Sequence, residues 1–140
     1  MLATTLPAKG LFHDQTFCLG VAGGYASEKA KDIFAKSDLV IGIGARLASH
    51  SFEGGQLTPN AFVVHLDVAP QTYVQGRHAA DLLIKADAKY GANALSAVLD
   101  RKTGWRTPTM QQVTSDALVL PDDRITPDGL LHPMAVIKQL

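Results

Sequence analysis

The sequence lacks several features that would assign it to a functional class at once. Its 140 residues include one cysteine, and basic and acidic residues balance at 13 each. A single cysteine excludes an internal disulfide and a multi-cysteine zinc site, and it is typical of a reducing compartment. Balanced charge provides no net field that would attract nucleic acid or an anionic membrane. No apolar run approaches the roughly 20 residues that span a bilayer. We therefore expect a cytoplasmic protein that binds neither nucleic acid nor membrane.

Side chains in familiar catalytic arrangements are also scarce. The five histidines are scattered without a His-x-x-x-His pair, which argues against a metal site. Ser49 and Ser51 flank His50, but neighbours along a chain rarely face each other as a nucleophile and its base must. Cys18 has apolar neighbours and is expected to be a small buried hydrophobe. The residues alone therefore indicate a binding or scaffolding unit.

An alternation of strand and helix patterns is what the sequence does contain. Two continuous apolar runs predict strands buried on both faces, as in a parallel sheet, at Leu39–Ile43 and Phe62–Asp67. Helical spacing predicts helices over 26–36 and 88–99, the second with Asp87 as its N-cap. Further predictions are short strands at 2–5 and 82–84, a short helix at 71–76 and a long loop at 9–24. This order predicts an α/β fold of three layers, with a parallel sheet and helices on both of its faces.

Three loops fall where α/β folds usually bind ligands. Leu19-Gly20-Val21-Ala22-Gly23-Gly24 precedes a helix and is either a pyrophosphate cradle or a glycine-rich turn. Gly42-Ile43-Gly44-Ala45-Arg46 lacks the third glycine of a dinucleotide fingerprint, and its arginine suits a phosphate or a carboxylate at a subunit contact. Asp67 is either a ribose ligand or the N-cap of a helix near Pro70. The predicted cofactor-binding residues are Leu19, Gly20, Gly23, Gly44, Ala45, Arg46 and Asp67.

Five segments carry a family resemblance through their order and spacing. They are Thr4-Thr5-Leu6-Pro7-Ala8-Lys9-Gly10-Leu11-Phe12, Leu19-Gly20-Val21-Ala22-Gly23, Ser37-Asp38-Leu39-Val40-Ile41-Gly42-Ile43-Gly44-Ala45-Arg46, Val64-His65-Leu66-Asp67-Val68-Ala69-Pro70 and Ala86-Asp87-Ala88-Lys89. Together they resemble the central domain of thiamine-diphosphate-dependent enzymes of the acetolactate synthase type. The resemblance covers about residues 1–100 and implies a Rossmann-like fold of the general form that sirtuin-type NAD-binding domains share.

The same resemblance implies a division of the chain. Residues 1–104 correspond to a partial central domain, truncated at its N-terminal side because the family's domain is preceded by a further strand and helix. Residues 105–128, rich in proline and polar residues, correspond to an interdomain linker. Residues 129–140 resemble the opening helix of the C-terminal thiamine-diphosphate-binding domain, beginning Gly129-Leu130-Leu131-His132-Pro133-Met134.

The chemistry that the resemblance implies belongs to a larger parent enzyme. That enzyme, a transferase or lyase, would decarboxylate a 2-oxo acid or transfer the resulting two-carbon unit with thiamine diphosphate and Mg²⁺. In the family the activating glutamate and the Gly-Asp-Gly magnesium motif lie in the two flanking domains. This piece is therefore expected to bind neither cofactor and to be inactive alone. Its expected partners are the remaining domains, in a homodimer or homotetramer.

FAD or ADP binding is a separate hypothesis. Acetolactate synthases bind FAD with a loop like Leu19 to Gly23 and with a Gly-Ala-Arg-Phe-Asp-Asp-Arg stretch. The matching stretch here is Gly44-Ala45-Arg46-Leu47-Ala48-Ser49-His50, which keeps only the first three residues. The alternatives are an independent dinucleotide-binding module for NAD or FAD and a purely structural oligomerisation domain. A sirtuin enzyme would usually need a four-cysteine zinc site, which one cysteine does not supply.

Overall fold

The computed structural model describes residues 1–100 and, after them, residues 102, 104, 107, 108, 110–112 and 130. The predicted linker and C-terminal segment lie almost entirely outside the described residues. The helices and strands are, in chain order, β1 (Leu2–Thr4), β2 (Cys18–Val21), α1 (Glu28–Ala35), β3 (Leu39–Ile43), α2 (Ser49–Phe52), β4 (Phe62–Asp67), β5 (Tyr73–Val74), β6 (Arg77–His78), β7 (Leu82–Lys85) and α3 (Ala88–Val98). Single turns of 3-10 helix occur at Leu6–Ala8, Gly23–Tyr25 and Glu53–Gly55.

The described strands form two parallel sheets and one hairpin. The larger sheet has three strands in the order β3-β4-β7, and its register aligns Ile41 with Val64 and Val64 with Leu82. β1 pairs with β2 in a separate parallel sheet, and β5 pairs with β6 in an antiparallel hairpin. Parallel sheets accompanied by helices are typical of an α/β fold, as the sequence predicts.

The core is densest around β4, whose residues 63–66 are all buried. Val63 belongs to a cluster on one face of the strand, formed with Leu47, Phe52, Val74, Ala79 and Ala80. Leu66 points to the opposite face, because successive strand residues alternate, and it is completely buried beneath α3. A second cluster joins β2 to α1 through Leu19, Ala26, Ala30 and Ile33.

Both predicted long helices are present and begin at side-chain caps. The Ser27 hydroxyl accepts from the Ala30 N–H at the start of α1, and Asp87 Oδ1 accepts from the Lys89 and Tyr90 N–H groups at the start of α3. Each cap satisfies backbone donors that have no partner within the helix. Cys18 is buried as predicted, and its sulfur accepts from the Gly20 N–H at 3.3 Å.

An ion-pair network ties α1 to the turn after α2. Lys31 Nζ lies 2.9 Å from a Glu53 carboxylate oxygen and 3.2 Å from one of Glu28. The hydrogen bond to Glu53, followed by that to Glu28, raises the pKa of Lys31 above its ordinary value. The network therefore connects residues of two segments that the sequence pattern does not link.

Three predictions about elements are wrong. β3 is not buried on both faces: Leu39, Ile41 and Ile43 are 51%, 40% and 41% exposed, because no described strand pairs with its outer edge. Residues 71–76 form no helix, since Gln75 and Gly76 both have positive φ and make the two-residue turn between β5 and β6. The predicted loop at 9–24 contains β2. None of the described helices is long and apolar enough to cross a membrane.

Candidate functional site

The carboxyl ends of β3 and β4 bring two of the three predicted ligand loops together. The Gly44 N–H donates to the Leu66 carbonyl at 2.9 Å, which places Gly44 beside Asp67. A β-carbon on Gly44 would lie 3.3 Å from the Ala88 β-carbon, at the first residue of α3. The edge of the sheet therefore combines a tight glycine turn, a carboxylate and the start of a helix, which is where open α/β sheets usually bind ligands.

The arginine of this edge is available to a ligand. Arg46 is exposed, and it makes no hydrogen bond or ion pair within the part of the chain that the structure describes. Ala45, its neighbour, packs against the cluster around Leu47 and anchors the loop. The Gly44 N–H is already bonded to Leu66, whereas an exposed guanidinium such as that of Arg46 suits an anion.

One carboxylate oxygen of Asp67 is engaged by the backbone of the turn that follows it. Its Oδ1 accepts from the Ala69 N–H at 2.9 Å, and its Oδ2 lies 4.0 Å from His65 Nε2. No helix begins near Pro70, so the predicted N-cap role is wrong. The side chain is 22% exposed. The ribose-binding role of Asp67 stays a prediction.

The first glycine loop, from Leu19 to Gly24, makes packing contacts and hydrogen bonds within the fold. Leu19 is buried in the cluster that joins β2 to α1, and the Gly20 carbonyl lies 3.5 Å from the Thr4 hydroxyl. Gly23 has φ +82°, and a β-carbon there would lie 1.8 Å from the His50 carbonyl oxygen. This close approach favours the packing role for Gly23 and joins the loop to α2, which follows shortly after Arg46. A cradle role for Leu19 and Gly20 stays a prediction.

Sequence reasoning missed the residues that hold the Arg46 loop in place. Arg77 Nη2 donates to the Leu47 carbonyl at 3.0 Å, and its guanidinium lies 5.5 Å from the centre of the Phe52 ring. Gln75 Oε1 accepts from the Ser49 N–H at 2.8 Å. Both side chains belong to the β5–β6 hairpin. In the sequence, the Gln75-Gly76 pair indicates this hairpin, since glycine is common in two-residue hairpin turns.

The site supplies donors for binding and few groups for proton transfer. His65 is 2% exposed, and its Nδ1 accepts from the Gln71 N–H at 3.1 Å. Asp67 and Asp87 are the carboxylates near this edge, and each already accepts from backbone N–H groups. No group of three or more His, Cys, Asp or Glu side chains among the described residues is placed to hold a metal. This donor set does not fit a magnesium site, which uses open carboxylate oxygens.

Comparison with known proteins gives matches over most of the continuously described chain. The family described as "Thiamine pyrophosphate enzyme, central domain" matches residues 1–98. The acetolactate synthase of Mycobacterium bovis is 33% identical over 100 residues, which are 70% of this chain and 16% of that protein. The acetolactate synthase large subunit of Porphyra purpurea is 35% identical over 71 residues, which are 49% of this chain and 12% of that protein. The chain thus spans about one sixth or less of the length of these curated relatives.

Proposed function

The chain belongs to the family of thiamine pyrophosphate enzyme central domains, and we propose on that premise that it is the non-catalytic central portion of an acetolactate synthase-like enzyme. The observation that carries the proposal is the family match over residues 1–98, almost all of the continuously described chain. The parent enzyme would act on a 2-oxo acid, either decarboxylating it or transferring the two-carbon unit. Thiamine diphosphate, held with Mg²⁺ by the parent's other domains, supplies the carbanion chemistry.

The role of this portion is to position the domains around it. Asp87 caps a helix, Asp67 accepts from the backbone of its own turn, and His65 is buried in the core. A rigid sheet with both faces of β4 covered suits a scaffold, because a well-packed core resists deformation. We expect the scaffold to work in a homodimer or homotetramer of the parent enzyme, in the cytoplasm.

We further propose that the edge formed by Arg46 and Asp67 binds the diphosphate and ribose of FAD or ADP. The exposed guanidinium of Arg46 suits a phosphate, and Asp67 Oδ2 suits a ribose hydroxyl. The start of α3 lies against Gly44 and adds favourable charge for an anion. An independent module for NAD is the alternative, and the same edge would serve it.

One pair of assays tests both parts of the proposal. Incubating the 140-residue protein with pyruvate, thiamine diphosphate and Mg²⁺ is expected to give no turnover, since the described residues lack the activating groups. Thiamine-dependent release of carbon dioxide would contradict the scaffold role. Calorimetric titration with ADP, FAD and NAD is expected to detect binding of ADP and FAD. Tighter binding of NAD than of both would favour the independent module.

A variant locates the nucleotide. Arg46→Gln is expected to weaken ADP binding by about tenfold to a hundredfold, since a hydrogen bond to a charged group contributes about 1.5–3 kcal/mol. Lys36→Gln is the matched control, because it removes the same charge just after α1, at the opposite end of β3. Equal binding by the two variants would exclude Arg46 from the site.

A further inference from the structure

A cavity lies beside the start of β4, at the other end of that strand from Asp67. Its volume is about 490 Å³, in the range of roughly 300–1,000 Å³ that is usual for small-molecule pockets. Val63 lines it together with residues of two stretches, 52–61 and 77–81. A strand rises about 3.3 Å per residue, so Asp67 is about 13 Å further along β4. The cavity is therefore distinct from the edge that carries Arg46 and Asp67.

Arg77 supplies the positive charge of this cavity. Its Nη1 donates to the His78 carbonyl at 2.8 Å and its Nη2 to the Leu47 carbonyl at 3.0 Å, whereas its Nε–H is buried and has no partner among the described residues. Carbonyl oxygens carry only partial charge. Within the described chain no carboxylate forms an ion pair with this guanidinium. The charge of Arg77 therefore lacks a counter-ion from the part of the chain that the structure describes.

The guanidinium of Arg77 is partly withheld from water. Arg77 is half-buried, and its guanidinium carbon lies 5.5 Å from the centre of the Phe52 ring. Gly55 lies close to it as well, since a β-carbon there would be 3.4 Å from Arg77 Cδ and 3.6 Å from Nη1. Opposite charges attract more strongly where water screens them less, whereas fully exposed ion pairs contribute little. Arg77 is therefore better placed to bind an anion than a fully exposed arginine would be.

Asp81 limits how much negative charge a ligand of this cavity can carry. Its carboxylate also lines the cavity, where Oδ2 accepts from the Val63 N–H at 2.7 Å and Oδ1 lies 3.9 Å from His78 Nε2. A negative charge in the same cavity repels a ligand with several negative charges. A phosphate monoester, which carries nearly two charges at neutral pH, is therefore less suited than a single carboxylate.

The rest of the cavity wall includes apolar side chains. Phe52, Val63 and Ala79 are buried core residues that line it. Thr58 is also buried and lines the cavity, and its hydroxyl makes no hydrogen bond within the described residues. Small-molecule sites commonly combine such an apolar lining with a few polar groups that orient the ligand. The lining therefore suits a ligand with an apolar body as well as one charged end.

We propose that this cavity binds a monocarboxylate with a compact apolar body, whose carboxylate is held by Arg77 and whose apolar body lies against Phe52, Val63 and Ala79. Each Nη atom of Arg77 keeps one N–H group beyond the one that it donates to a carbonyl. A planar guanidinium suits a planar carboxylate, because the two can form paired charge-assisted hydrogen bonds. The site does not depend on the nucleotide edge, so it stands whether or not ADP binds to Arg46.

NMR titration of the isotope-labelled 140-residue protein tests the proposal with phenylacetate as the probe. Phenylacetamide is the matched control, because it has the same shape without the charge. Phenylacetate is expected to cause saturable shifts of the Gly54, Gly55 and Ala79 amide signals and to bind about tenfold more tightly than phenylacetamide. Equal binding of the two compounds, tighter binding of phenyl phosphate, or shifts confined to Gly44 and Arg46 would each overturn the proposal.

Matched variants locate the carboxylate. Arg77→Met is expected to weaken phenylacetate binding about tenfold, and Arg77→Lys to weaken it less, because lysine keeps the charge but lacks the planar fork. Ala61→Phe, at a half-buried residue that lines the cavity, is expected to weaken binding about fivefold or more by filling the space. Its control is Ala69→Phe, at an exposed residue that does not line the cavity, with an expected change of less than twofold.

The second position keeps the test decisive, because Arg77 also holds the Leu47 carbonyl and its variants can disturb the fold. If Arg77→Met does not fold, the comparison of Ala61→Phe with Ala69→Phe decides. Unchanged phenylacetate affinity in a folded Arg77→Met protein, or equal affinities of the two phenylalanine variants, would overturn the proposal.

Discussion

At the scale of single residues, Gly23 sets the distance between two segments. Its lack of a side chain allows the loop after β2 to lie directly on the backbone of α2 at His50. Gly24, the next residue, faces open space. Two adjacent glycines of one loop therefore carry different constraints, which a count of glycines does not reveal.

Gly23→Ala is expected to destabilise the protein by about 3 kcal/mol or more. The new β-carbon would overlap the His50 carbonyl, and alanine at φ +82° is itself strained. Gly24→Ala is the control and is expected to change stability by less than about 1 kcal/mol. Urea unfolding followed by circular dichroism measures both. Equal midpoints for the two variants would contradict the packing role of Gly23.

Lys31 gives the protein a pH dependence on the alkaline side. Because its pKa is raised in the folded state, the folded protein holds the proton more tightly than the unfolded chain does. Its stabilising contribution is complete below the ordinary lysine pKa of about 10.5 and is lost as pH rises through the folded-state pKa. Unfolding midpoints measured from pH 8 to pH 12 are expected to fall more steeply for the unchanged protein than for Lys31→Met. Parallel curves would contradict this.

At the scale of elements, α3 is seated on β4 through a pairing of small and large residues. Gly91 is buried inside the helix, and a β-carbon there would lie 2.6 Å from both terminal methyl carbons of Leu66. Glycine is unfavourable within a helix by about 1 kcal/mol relative to alanine, so the close approach explains its presence. The pairing fixes how near the helix lies to the sheet.

Gly91→Ala is expected to destabilise the protein by about 1–3 kcal/mol despite the better helix propensity of alanine, because it overpacks the contact with Leu66. Combining it with Leu66→Val makes room for the new methyl group. The double variant is expected to be more stable than the sum of the two single effects predicts. Thermal or urea unfolding of all four proteins measures this coupling, and strict additivity would contradict the contact.

The strands differ in how well the sequence predicts them. Leu39–Ile43 and Phe62–Asp67 match β3 and β4, because apolar runs bounded by polar turns define strands well. An apolar run does not show which strands or helices will lie beside it. The sequence therefore predicts equal burial for both strands, although only β4 is covered on both faces. The hairpin was missed since its strands have two residues each, too few for a period to appear. Arg77 and Gln75 were missed with it.

At the scale of the whole molecule, stability is concentrated in the middle of the larger sheet. β4 has a strand on each side and packed side chains on both faces. Within the described chain β1, β3 and β7 each have one strand neighbour. The amides of Val63 to Leu66 are therefore expected to exchange only through global unfolding, and those of β1 and β5–β6 through smaller local openings. Exchange followed by NMR checks this order, and equally slow exchange in β1 would contradict it.

The β5–β6 hairpin has a consequence for how the Arg46 loop tolerates changes in length. Gln75, in the turn, and Arg77, just after it, hold the loop at Ser49 and Leu47. Because strand side chains alternate from one residue to the next, one inserted residue would send one of these contacts to the wrong side. The number of residues in the hairpin therefore determines where the loop that carries the exposed Arg46 lies. Variants designed to alter this edge should keep the length of the β5–β6 hairpin unchanged.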